Sequence, residues 1–105
     1  MRRNVSIMAY GQTCSGKTHT ILGIQEAPGI IPCVFRDLFL LKQEKNKKIS
    51  IKICYNEIYN EKISDLLDSK EKTIKVVEKS VGNGFELCGT SKESINSFED
   101  ALNIL

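Results

Sequence analysis

No stretch of this 105-residue sequence is long and apolar enough to cross a bilayer. The longest uninterrupted apolar run in its middle is Leu38 to Leu41, whereas a spanning helix needs about 20 such residues. Charge of one sign is also scarce. Lys and Arg total 15 against 13 Asp and Glu, a net of +2, which points to no nucleic-acid partner and no acidic membrane surface. An export signal is lacking too. Arg2 and Arg3 precede the apolar residues Val5 to Tyr10, but Ser6 interrupts that short stretch, and an export core runs to about 7–15 residues. No small-residue cleavage site follows, so a cytoplasmic location is expected. Paired metal ligands are missing as well: Cys14, Cys33, Cys54 and Cys88 lie 19 or more residues apart, without a C-x-x-C and with a single histidine. That spacing argues against zinc, and reduced free thiols are expected.

What is present suits one small domain or one piece of a larger one. The chain is 41% hydrophobic and 27% charged, within the range of ordinary globular domains. Val5 to Tyr10, stopped by Gly11, predicts a buried strand of a parallel sheet. Gly11 to Gly16 reads as loop, with a helix opening near Lys17. Gly23 and then Pro28-Gly29 punctuate the next stretch. A second helix is predicted from about Pro32, with Val34, Phe35, Leu38, Phe39 and Leu41 at near-helical spacing. The lysine-rich run from Lys42 to Lys48 reads as a solvated helix end and turn. Ile49 to Tyr55 alternates cleanly and predicts a strand. Asn56 to Asp68 predicts a polar turn and a short helix ending in Ser64-Asp65-Leu66-Leu67. Strands are predicted over Thr73 to Glu78 and Gly84 to Cys88, joined through Gly82-Asn83-Gly84. A last helix follows, because Ser97 with Asp100 makes a capping box and Phe98, Ala101, Leu102 and Leu105 share one helical face. The fold class read from this order is α/β, a strand and loop feeding a helix, then strands and a C-terminal helix.

One segment carries chemistry. Gly11-Gln12-Thr13-Cys14-Ser15-Gly16-Lys17-Thr18 satisfies G-x-x-x-x-G-K-[S/T] in full. Gly11 and Gly16 let the backbone curl so that successive amides point inward around a phosphate. The helix that follows presents its positive end to the same anion. Lys17 supplies a point charge between the β- and γ-phosphates, and Thr18 a hydroxyl for Mg²⁺. His19 stands one residue further, where an imidazole either faces solvent or packs on a nucleotide base. Cys14 lies within the loop.

Four ordered blocks of this sequence resemble the kinesin motor domain. They are A-Y-G-Q-T-C-S-G-K-T-H-T from Ala9, G-I-I-P through D-L-F from Gly29 to Phe39, Y-N-E-I-Y-N-E-K-I-S-D-L-L-D from Tyr55 to Asp68, and F-E-L-C-G-T-S-K-E-S-I-N-S-F-E-D-A-L-N-I-L from Phe85 to Leu105. The resemblance implies a partial P-loop NTPase fold and an ATP-driven motor on microtubules, located in the cytoplasm on the cytoskeleton. It implies that Gly11, Gln12, Thr13, Cys14, Ser15, Gly16, Lys17 and Thr18 bind ATP, with Lys17 as the catalytic charge, Thr18 as the Mg²⁺ ligand and His19 stacked on adenine. It also places Lys62 and the 79–84 turn on the side that meets tubulin, whose acidic surface a lysine suits. Gly23 to Pro28 resembles a shortened form of the loop that splits the family's first helix.

The sequence departs from the family at Ile21, Cys33 and Cys54, where Met, Arg and Ser are usual. The family's Arg-x-Arg-Pro segment and its two switch motifs, Ser-Ser-Arg-Ser-His and Asp-Leu-Ala-Gly-Ser-Glu, do not occur within residues 1–105. No apolar strand here ends in a Walker B aspartate. Residues 1–105 are therefore expected to be a fragment of a motor domain that holds ATP and lacks the parts for turnover. Two other readings stay open. A small P-loop nucleotide kinase would need several lid arginines, and only Arg2, Arg3 and Arg36 are present. A nucleotide-binding module without turnover needs nothing beyond the loop.

Overall fold

A computed structural model describes residues 3–44 and 48–105 of the chain. Two compact units form, one from residues 1–48 with 97–103 and 105, the other from 49–96 with 104.

In the first unit, Val5 to Tyr10 is not a strand. No described segment pairs with it, and Val5 and Tyr10 are 82% and 97% exposed. The physical reason is that a strand needs a neighbour for its N–H and C=O groups, and apolar alternation alone cannot supply one. The loop after Gly11 turns into helix α1 (Lys17–Ile21) through Gly16, whose φ of 99° lies in the left-handed region. Gly23–Ile24 (β1) and Ala27–Pro28 (β2) then pair as a minimal antiparallel hairpin. The sequence reading treated this stretch only as an interruption. The Gly29 amide donates to the Leu22 carbonyl at 3.0 Å, closing the hairpin between the two helices. Helix α2 (Ile30–Glu44) begins two residues before Pro32, which lies buried in its first turn, where a missing N–H is harmless. Phe39 is buried on the same helix. Of the lysine-rich run, α2 takes Lys42 to Glu44, and residues 45–47 lie outside the described residues. Helix α3 (Phe98–Ile104) carries the predicted capping box, Ser97 and Asp100 each bonding the other's backbone amide, and buries Ala101.

The second unit consists of antiparallel pairs. The predicted strand 49–55 is regular only at Ile51–Ile53 (β3), which pairs with Glu93–Ile95 (β8) so that Ile51 faces the fully buried Ile95. The short helix expected near Ser64 to Leu67 is absent. Asn56–Tyr59 (β4) and Lys62–Asp65 (β5) form a hairpin instead, turning through Asn60 and Glu61, both at positive φ (48° and 62°). That is the two-residue turn whose twist matches paired strands. Lys75–Glu78 (β6) and Phe85–Cys88 (β7) pair as predicted. Their turn is closed by Lys79 N donating to Gly84 O and Asn83 N to Ser80 O, each at 2.8 Å. The mixture of helix and strand agrees with an α/β class. Among the described residues, however, the strands form four two-stranded antiparallel ladders, not the parallel sheet expected around Val5 to Tyr10.

Candidate functional site

The loop between Gly11 and α1 is drawn tight by its own backbone. The Ser15 amide donates to the Gln12 carbonyl at 3.2 Å. Gly11 lies so close to the Ser15 side chain that a Cβ there would stand 2.5 Å from its Oγ, and Ser15 would have to turn away to admit one. Cys14 (φ 63°) and Gly16 (φ 99°) are both left-handed, and such reversals between ordinary residues turn neighbouring amides toward one side.

The result is a hollow of about 400 Å³ lined by the seven consecutive residues Thr13 to His19. Seven of the nine residues expected to bind nucleotide therefore share one surface. Gly11 and Gln12 do not line it. Their role is internal: the Lys17 ammonium donates to the carbonyl oxygens of Gly11 and of Gln12, the latter at 2.9 Å. Lys17 is half-buried while its neighbours on the lining are exposed. The loop thus carries a cation held in place by its own first two carbonyls. Thr18 stands exposed at the start of α1 and is among the residues that line the hollow. Among the described residues no group of three or more His, Cys, Asp or Glu could hold a metal. A divalent ion here would rest on the Thr18 hydroxyl and on the ligand's own oxygens, the usual arrangement for Mg²⁺ beside phosphates.

His19 lines this hollow and also a second one, of about 450 Å³, that includes Gly29, Cys33, Val34 and Asp37. Cys33, a departure from the family pattern, lies on a surface that His19 shares. Arg36 lies on neither. It faces an apolar groove of about 580 Å³ with Leu22, Pro32, Phe98 and Leu102, and its guanidinium lies 3.6 Å from Asp37. An arginine that a nucleotide-kinase lid would require is thus off the phosphate surface.

Lys62 and the 79–84 turn belong to the second unit. Lys62 is exposed at the tip of β5, its ammonium 3.7 Å from Glu71, and Lys79 lies at the same distance from Glu86. One cluster was not foreseen. The Asp65 side chain is 1% exposed and accepts from the amides of Leu67 (3.0 Å) and Ser91 (2.7 Å). Lys72 bonds the Ser91 hydroxyl at 2.8 Å and the Asp68 carboxylate at 2.6 Å. The Ser91 hydroxyl and amide hold the Asp65 carboxyl below its ordinary value, and Lys72 does the same for Asp68. No local pattern marks this cluster, since Ser91 is 26 residues from Asp65.

A family model described as the kinesin motor domain matches residues 1–105. Kinesin-like protein KIN-7D, mitochondrial, of Arabidopsis thaliana is 42% identical over 103 residues, covering 97% of this chain and 10% of that protein. Kinesin-like protein KIF13B of Homo sapiens is 43% identical over 107 residues, covering 97% of this chain and 6% of that one. Among solved structures, a KIF14 dimer with AMP-PNP in complex with a microtubule superposes with a TM-score of 0.76 at 35% identity, over 90% of this chain and 28% of that one. KIF14 with ADP in complex with a microtubule gives 0.68 at 34% identity over the same shares. The chain thus spans a small part of each of these relatives.

Proposed function

This chain belongs to the kinesin motor-domain family, and on that premise we propose that residues 1–105 are the ATP-binding part of a microtubule-based motor, associated with the cytoskeleton in the cytoplasm. The observation that carries the reading is the hollow lined by Thr13 to His19, with Lys17 among its lining residues and tied to the loop's own carbonyls. The backbone amides of the loop residues that line the hollow bind the phosphate oxygens while Gly11 and Gln12 shape the loop, Lys17 offsets the charge on the β- and γ-phosphates, and His19 stacks on the adenine. Mg²⁺, when bound, neutralises charge across the phosphates, and Thr18 holds it. Lys62 and the 79–84 turn form the side that meets tubulin, where exposed lysines suit an acidic partner.

Turnover is assigned to a larger unit. The family's two switch motifs do not occur within residues 1–105, and phosphoryl transfer depends on several such parts acting together. The chain spans only 28% of the motor structures it matches, which supports reading it as one segment of a motor domain.

Fluorescent ATP titrated into the chain with Mg²⁺ tests the site. Lys17→Ala should weaken binding by about 10- to 100-fold, the loss expected for one charge-assisted contact to phosphate. Unchanged affinity would remove the nucleotide assignment. Microtubule-stimulated hydrolysis by residues 1–105 alone would show that turnover needs no other segment.

A further inference from the structure

We propose that Asp65 is a positioning residue, which sets the direction of the β4–β5 hairpin and so holds Lys62 toward an acidic partner surface. The inference deepens the microtubule reading above and rests on it.

The hairpin has little packing of its own to aim it. Ile58 and Tyr59, on β4, are 72% and 77% exposed, and among the described residues β4 pairs with β5 alone. A two-stranded ribbon in water is marginal without a further surface to lie on. What holds this one is its opening rung. Asn56 stands opposite Asp65 in the register, and each of the two is gripped by one of two adjacent residues. The Thr90 hydroxyl donates to Asn56 Oδ1 at 2.6 Å, and the Ser91 amide donates to Asp65 Oδ2 at 2.7 Å. The other oxygen of Asp65 takes the Leu67 amide, which fixes the chain as it leaves β5.

Two bonds to neighbouring residues define a direction in a way that one cannot. Lys62 stands three rungs from this clamp, opposite Tyr59, so a rotation at the clamp displaces it most. Glu71 does not replace the clamp. It and Lys62 are both exposed, and pairs of that kind contribute little and exchange readily. Lys72 braces the clamp through its bond to the Ser91 hydroxyl, its ammonium also lying 3.9 Å from the Asp65 carboxylate.

The test is microtubule co-sedimentation of the full-length protein that carries these residues, with a non-hydrolysable ATP analogue present. Asp65→Asn keeps the shape of the side chain but turns an N–H₂ toward the Ser91 or Leu67 amide; it should raise the microtubule Kd by about five- to tenfold. Lys62→Ala should raise it by a similar factor, with a weaker salt dependence. The double substitution should bind little worse than Lys62→Ala alone, because both changes remove one interaction. Affinity for fluorescent ATP should stay unchanged in all three. Ser91→Ala keeps the amide and loses only the hydroxyl; it should give an intermediate loss and serves as the milder variant should Asp65→Asn fold poorly. Wild-type affinity in Asp65→Asn or Ser91→Ala, or fully additive losses in the double variant, would overturn the proposal. Failure of the wild type or of Lys62→Ala to show a microtubule effect would instead overturn the reading beneath it.

Discussion

At the residue scale, the candidate site depends on two glycines for opposite reasons. Gly16 has open space around an added Cβ but a φ of 99°, whereas Gly11 has ordinary backbone but no room beside the Ser15 Oγ. Alanine at position 16 would therefore act through the backbone alone, at about 1–2 kcal/mol for a left-handed residue with a side chain. Relaxing that strain would swing the amides that line the hollow. Gly16→Ala is expected to reduce ATP affinity by about tenfold while leaving the helix content of the chain nearly unchanged. Titration of fluorescent ATP together with circular dichroism checks both halves. Wild-type affinity would mean that the turn at position 16 does not shape the site.

At the scale of elements, the clamp between the β4–β5 hairpin and Ser91 has a charge dependence that can be read directly. The Asp65 and Asp68 carboxyls are held below their ordinary value of 3.8, through Ser91 and Lys72 respectively. A carboxyl depressed by folding contributes stability above its unfolded value, and the contribution is lost as pH falls through the folded one. The urea midpoint of the second unit should thus be insensitive to these groups at neutral pH and should fall below about pH 4. Asp65→Asn should remove part of that acid slope. An identical slope in the variant would show that Asp65 is not among the groups responsible.

At the scale of the whole molecule, surface dominates. Among the described residues the buried apolar core is small, formed by Phe39, Ile95 and Ala101 with Pro32 beside Phe39 on α2. Val5, Met8 and Tyr10 stand open on a segment with no paired strand, the kind of edge that recruits other chains. Residues 1–105 alone should bind the dye ANS and self-associate as concentration rises. The same residues within a complete motor domain should do neither. A monomeric, ANS-silent chain in sedimentation analysis would contradict this.

How much of this was legible beforehand follows from the range of each interaction. The phosphate loop, the capping box of α3 and the β6–β7 hairpin are written in neighbouring residues, since a glycine's φ, a cap's acceptor or a turn's twist is decided within a few positions. Those readings needed no fold. Where a segment finds its partner is a different kind of fact. The alternation of Val5 to Tyr10 described a strand's faces but could not supply the strand beside it. The Ser64 to Leu67 stretch looked helical until Ile63 paired with Ile58 and Asp65 reached Ser91. Sequence alone determined the glycine spacing and the charge of the loop around Lys17. Tertiary structure decided that Lys17 leans on the Gly11 and Gln12 carbonyls and that a buried carboxylate aims Lys62. Such contacts form only once the chain has closed on itself, and they leave no trace in the spacing of adjacent residues.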